Sequence, residues 1–184
     1  MNNMKVVFLD IDGVLNSAEH RRNMLRQGDY SVIIESAHLE LLQKLVATTD
    51  ASIVLISSWR KYWFKEGSID EAGQRIEEAF HKLGLVIYDK TPVLRNSSRS
   101  QEVEQWLKQH SYVKHFVILD DNDFGWSKSL RSHWVHCPSE SGITLGLAKE
   151  ATDVLNGKLL PSQELHHSTQ NVIQRIINYF KIKR

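Results

Sequence analysis

The sequence predicts an α/β domain built on a central parallel sheet, and three observations carry that expectation. Short, continuous apolar runs rich in β-branched residues recur at wide intervals, as strands buried on both faces of a parallel sheet do. Helical patterns with recognisable caps separate them. Strand and helix alternate along the chain, which calls for right-handed crossovers in one sheet. The 184 residues suit one domain with a terminal extension.

The runs are KVVFL (5–9), ASIVLIS (51–57), LVIY (85–88), HFVIL (115–119) and HWVHC (133–137). Leu41, Leu42, Leu45 and Val46 share one face of the first core helix, with Ser36 as its expected cap. Ser68-Ile-Asp-Glu71 reads as a capping box opening a helix through Ile76 and Phe80, and Gly84 stops it. Ser98-Arg-Ser-Gln101 is a second such box, ahead of Val103 and Trp106. Thr144 is placed to cap a last core helix through Ala148, Ala151 and Leu155.

Two regions fall outside this rhythm. Residues 15–35 form a polar excursion with Arg21, Arg22, Arg26 and Tyr30, read here as a flap. Residues 157–184 read as a linker, with Gly157, Pro161 and His166-His167, and then an amphipathic helix with Val172, Ile173, Ile176, Ile177 and Phe180 on one stripe. That helix is basic, with no acid after Glu164. It is expected to pack back on the domain, and contact with a partner or membrane surface is the other reading.

Composition excludes several classes. A hydrophobic fraction of 41% supports a real core, and a net charge of +1 gives no bulk pull toward nucleic acid or membrane. The lone Cys137 forms no internal disulfide and fits a reducing compartment. Asp10 and Asp12 interrupt the only early apolar run, so neither a signal peptide nor a membrane span is expected. The expected location is cytoplasmic.

Ligands of parallel α/β sheets sit beyond the carboxyl ends of the strands. There the first strand delivers Asp10 and Asp12, the second Ser57 and Ser58, and the fourth Asp120, Asp121 and Asp123. Arg99 opens the helix before that fourth strand. So many carboxylates in one place repel unless a hard cation neutralises them. Oxygen ligands alone suit Mg²⁺, whose shell substrate phosphate often completes. The pattern points to phosphoryl chemistry, with one aspartate attacking phosphorus and the other protonating the departing oxygen.

The motifs FLDIDGVLN, ISSWR and ILDDND, followed by SGIT, resemble the haloacid dehalogenase (HAD) superfamily of phosphatases. Their combination is most similar to the branch formed by the HAD domain of Swiss Army Knife RNA repair-like proteins. The resemblance covers roughly residues 4 to 156, so 1–156 is the expected domain. It implies a Rossmann-like three-layer fold, with Asp10 as nucleophile and Asp12 as acid/base, its backbone carbonyl also on Mg²⁺. Ser57 is then the expected phosphate ligand, with Ser58 the alternative in the doubled serine. Asp121 is the expected metal ligand of the fourth motif, with Asp120 the alternative. For the third motif Arg99 fits by its helix-start position, and Lys90 and Arg95 stay open.

Other residues carry plainer readings. Asp123 reads as a turn residue, and His133 and His136 as structural because odd spacing in a strand sends them to opposite faces. In WRKYWF (59–64) the interleaved bases and aromatics could grip nucleic acid, or the aromatics could cover the core with Arg60 and Lys61 solvated.

Many relatives carry a cap domain after the first motif or between the second and third, and here neither gap has room for one. A capless enzyme with an open site is therefore expected, suited to phosphate on a large substrate such as a nucleic-acid end. A phosphotyrosine protein phosphatase on the same site is the alternative. A receiver-like phosphate-binding module is the alternative of another class, and Asp12 argues against it.

Overall fold

A computed structural model of the protein describes residues 4–27, 34–68 and 70–158. Five strands form one sheet: β1 (Lys5–Leu9), β2 (Ala51–Leu55), β3 (Ile87–Lys90), β4 (His115–Asp120) and β5 (Trp134–His136). Their order is β3-β2-β1-β4-β5 and every pairing is parallel. The helices are α1 (Ala18–Arg26), α2 (Ser36–Thr49), α3 (Glu71–Lys82), α4 (Arg99–Gln109), α5 (Lys128–Arg131) and α6 (Leu145–Leu155). A single 3₁₀ turn, Ser58–Lys61, follows β2.

Alternation along β1 explains why it reads as one continuous apolar run. Val7 and Leu9 join a core layer with α2, α3 and α6, while Val6 and Phe8 join a second layer with α4 and α5. The central strand is thus sealed on both faces, the three-layer arrangement the sequence predicts. In the second layer Phe8 meets Trp106 edge-on at 5.3 Å between centroids.

Local chemistry sets the helix ends. Ser98 and Gln101 make both halves of their capping box, with the Gln101 amide N–H donating to Ser98 Oγ at 3.3 Å and the Ser98 N–H to Gln101 Oε1 at 2.8 Å. Thr144 caps α6 as expected. Two expected caps are corrected. Ser36 is the first residue of α2, and Glu35 holds the cap position without a side-chain bond because its carboxylate accepts from Ser17 instead. Asp70, not Ser68, caps α3, because Ser68 spends its hydroxyl on Glu77. The third strand lies two residues beyond the run that announced it, with a register shift at Ile53/Val54.

In the flap, α1 buries no residue. Its ends are drawn together by Glu35 N–H donating to Leu15 O at 2.8 Å and by the Ser17 hydroxyl donating to Glu35 at 2.7 Å. Among the described residues, nothing resembling a cap domain is inserted between β1 and α2 or between β2 and α4. Residues 159–184, including the expected amphipathic helix and His166-His167, lie outside the described residues, as does Tyr30. No helix among the described residues is long and apolar enough to cross a membrane.

Ser98→Ala removes one half of the capping box and should lower stability by about 1 kcal/mol, read as a lower urea midpoint at unchanged slope.

Candidate active site

The register of the central strands brings the site together. Leu9 lies level with Leu55 and with Leu119, so the next residues of three chain-distant segments meet at one edge of the sheet. The Asp10 N–H extends that ladder by donating to Leu119 O at 2.9 Å. Carboxylate oxygens of Asp10, Asp120 and Asp121 all lie within 4.8 Å of one another.

Arg99, the first residue of α4, is the counter-charge. One of its nitrogens, Nη1, donates to Asp10 Oδ2 at 2.8 Å and to Asp120 Oδ2 at 2.6 Å, and the guanidinium lies 4.2 Å over the Phe124 ring. Asp120 is fully buried. Burial, then the neighbouring Asp10 charge, pushes its pKa up to about 7, although Arg99 and the Asn122 N–H pull the other way. Both Asp120 oxygens are engaged, one by Arg99 and one by the Asn122 N–H. Asp121 instead lines a cavity of about 200 Å³ together with Asp10, Asp12 and Arg99. Burial, and then Asp10, raises its pKa as well.

Gly13 explains how Asp121 gets so close. Its φ is +78°, and a Cβ there would stand 2.4 Å from Asp121 Oδ2. A side chain would therefore be strained and would displace the carboxylate. The Gly13 N–H donates to Asn16 Oδ1 at 2.9 Å, which folds the loop back. Asn16 Nδ2 then donates to Asp12 Oδ1 at 2.9 Å, while Trp59 Nε1 donates to Asp12 Oδ2 at 2.8 Å. Asp10 and Asp12 thus sit in different surroundings, one against a cation and one between two neutral donors.

The clustered carboxylates of Asp10, Asp120 and Asp121, with Asp12 also on the cavity, form a hard, oxygen-only donor set, which fits a small divalent cation. Asp10 and Asp121 are placed to hold it at the cavity, and Asp120 backs Arg99.

Residues 6–148, more than half of the chain, match the family described as the HAD domain in Swiss Army Knife RNA repair proteins. The chain belongs to this HAD family. No curated protein and no solved structure matches the chain significantly. Membership points to a hydrolase of the phosphatase type, and the five-stranded parallel sheet is the Rossmann-like HAD arrangement.

The remaining HAD motif residues separate cleanly. Of the doubled serine, Ser58 is exposed and lines the cavity. Ser57 is fully buried, and its hydroxyl accepts from the Trp59 N–H at 3.4 Å. Of the expected pair, it is Ser58, the alternative, that the structure puts on the cavity wall. Lys90 does not line the cavity, and its ammonium donates to Arg60 O at 2.9 Å and Trp63 O at 2.5 Å. Arg95 is exposed and does not line the cavity, whereas Arg99 does. Asp123 accepts from the Gly125 N–H and pairs with Arg131, as a turn residue would. His133 and His136 bond Phe116 O and Asp121 O.

The run 59–64 overturns the expectation that Arg60 is solvated. Arg60 is buried, donates to Ile56 O and Ser57 O, and ion-pairs with the equally buried Glu102. Glu102 also accepts from the Leu94 N–H at 3.0 Å. This pair ties the turn carrying Ser58 to the helix carrying Arg99. Sequence reasoning missed the roles of Asn16, Trp59 and Glu102. A Glu and an Arg at ordinary positions on a helix and a turn announce nothing until the fold apposes them.

Glu102→Ala leaves Arg60 buried without its partner and should cost roughly 3–5 kcal/mol by urea denaturation. A loss below about 1 kcal/mol, the range of exposed pairs, would mean that the pair is solvated in solution.

Proposed function

We propose that the protein is a Mg²⁺-dependent phosphomonoesterase that works through an aspartyl-phosphate at Asp10, on a macromolecular substrate such as a nucleic-acid end. The observation that carries this reading is the convergence on one cavity of Asp10, Asp12, Asp121, Arg99 and Ser58. Asp10 is the nucleophile: a carboxylate oxygen bonds to phosphorus as the bond to the ester oxygen breaks. Asp12, held by Asn16 and Trp59, gives its proton to that departing oxygen. It then takes a proton from the water that attacks phosphorus, which releases phosphate and restores Asp10. Arg99 and Ser58 hold the transferring oxygens, where charge accumulates. A bound Mg²⁺ would neutralise charge between the phosphoryl group and the carboxylates of Asp10 and Asp121. The absence of an inserted cap among the described residues supports a large substrate.

The protein should release p-nitrophenol from p-nitrophenyl phosphate in Mg²⁺, with activity lost on adding EDTA and in Asp10→Asn. Full activity in Asp10→Asn would remove Asp10 as nucleophile. Asp12→Asn should lower turnover of alkyl phosphates by about 10²- to 10⁴-fold, and that of the activated nitrophenyl ester much less. Equal losses on both esters would make Asp12 a structural residue.

A further inference from the structure

Of the three flap arginines, only Arg21 lines the site cavity. Its neighbour Arg22 is taken by Glu140, with Nη2 2.7 Å from Oε2. The Ala18 N–H donates to Ser139 O at 2.7 Å, so two contacts fasten α1 to the segment 139–140. That segment is itself braced nearby. The Ile143 N–H donates to Val14 O at 2.9 Å, and Gly142, at φ +63°, packs so closely that a Cβ would meet His38 Cε1 at 2.5 Å. This clamp fixes which face of α1 looks into the cavity, and Arg21 is on it. Among the described residues the Arg21 guanidinium has neither an ion-pair nor a hydrogen-bond partner.

The electrostatics give this cation a purpose. Among the described residues lining the cavity, Arg99 already pairs with Asp10 and Asp120, whereas Arg21, on the flap, has no carboxylate partner. Ser139 and Asn122, both neutral donors, line the same cavity. A guanidinium with no carboxylate of its own, facing a compact polar cavity, is chemistry for an oxyanion. The reacting phosphate belongs at Asp10, so the oxyanion at Arg21 is a different group of the same substrate.

We infer that Arg21 forms an outer anion subsite, and that the preferred substrate is a phosphomonoester carrying a second phosphate close to the one removed. The inference rests on the phosphatase reading of Asp10 and Asp12. It separates two substrate classes, since adjacent phosphates are standard in polynucleotides, whereas a phosphotyrosine side chain brings no second phosphate. Arg26, exposed on the same helix and off the cavity, provides the control for a general basic field.

The test measures kcat/KM in Mg²⁺ for adenosine 3′,5′-bisphosphate, adenosine 3′-monophosphate and a phosphotyrosine peptide, with the wild-type protein, Arg21→Ala and Arg26→Ala. The bisphosphate should be preferred over the monophosphate, and Arg21→Ala should shrink that ratio roughly tenfold or more, with Arg26→Ala leaving it unchanged. Circular dichroism should show both variants folded, since neither side chain is buried. Equal kcat/KM for the two nucleotides, a preference untouched by Arg21→Ala, an equal effect of Arg26→Ala, or the peptide as best substrate would overturn the inference. No release from any of the three esters would instead count against the phosphatase reading itself.

Discussion

Asp10 and Asp120 stand at the ends of neighbouring parallel strands, only 4% and 0% exposed. Two ionised carboxylates within 4.8 Å of each other repel by roughly 3 kcal/mol even at an effective dielectric of about 20. The fold tolerates them because Arg99 reaches both with one nitrogen. Much of the surrounding architecture serves that placement. The Ser98 box starts α4 so that Arg99 occupies its first position. Three residues on, Glu102 locks the same helix to the turn after β2 through Arg60.

On the other side of the pair, the loop after β1 is shaped by a different requirement. Gly13 surrenders its side-chain volume to Asp121, and Asn16 closes the loop by bonding both the Gly13 N–H and the Asp12 carboxylate. Trp59 reaches over from the turn after β2 to complete the hold on Asp12. Two segments far apart in sequence therefore share responsibility for Asp12 and Asp121. A change in either of them propagates to the chemistry, which is why the site behaves as a property of the sheet edge rather than of a single motif.

Much of this was legible in the sequence. The strands of a doubly covered parallel sheet announce themselves by continuous β-branched runs, and Val6 to Leu9 alternate between two cores as such runs must. Asp10, Asp12 and Arg99 could be set at one edge of the sheet because strand ends and helix starts are local signals. The doubled residues could not be resolved that way. Which serine faces the cavity depends on how the 3₁₀ turn rotates Ser57 inward and Ser58 outward. Which aspartate does so depends on the Asn122 N–H and Arg99 claiming Asp120. Helix caps failed where a tertiary partner outcompeted the local bond, as Glu77 did for Ser68 and Ser17 for Glu35. The role of Trp59 was hidden because its partner lies 47 residues away.

The central claim is that the carboxylates at this sheet edge are assembled for a hard divalent cation, with Asp121 on the cavity side. Isothermal titration of Mg²⁺ into the wild-type protein and Asp121→Asn tests it without reference to any substrate. The account predicts one Mg²⁺ per chain for the wild type, and affinity weakened by about tenfold or more in Asp121→Asn. Undetectable Mg²⁺ binding by the folded wild-type protein, or equal affinity in the two proteins, would contradict it.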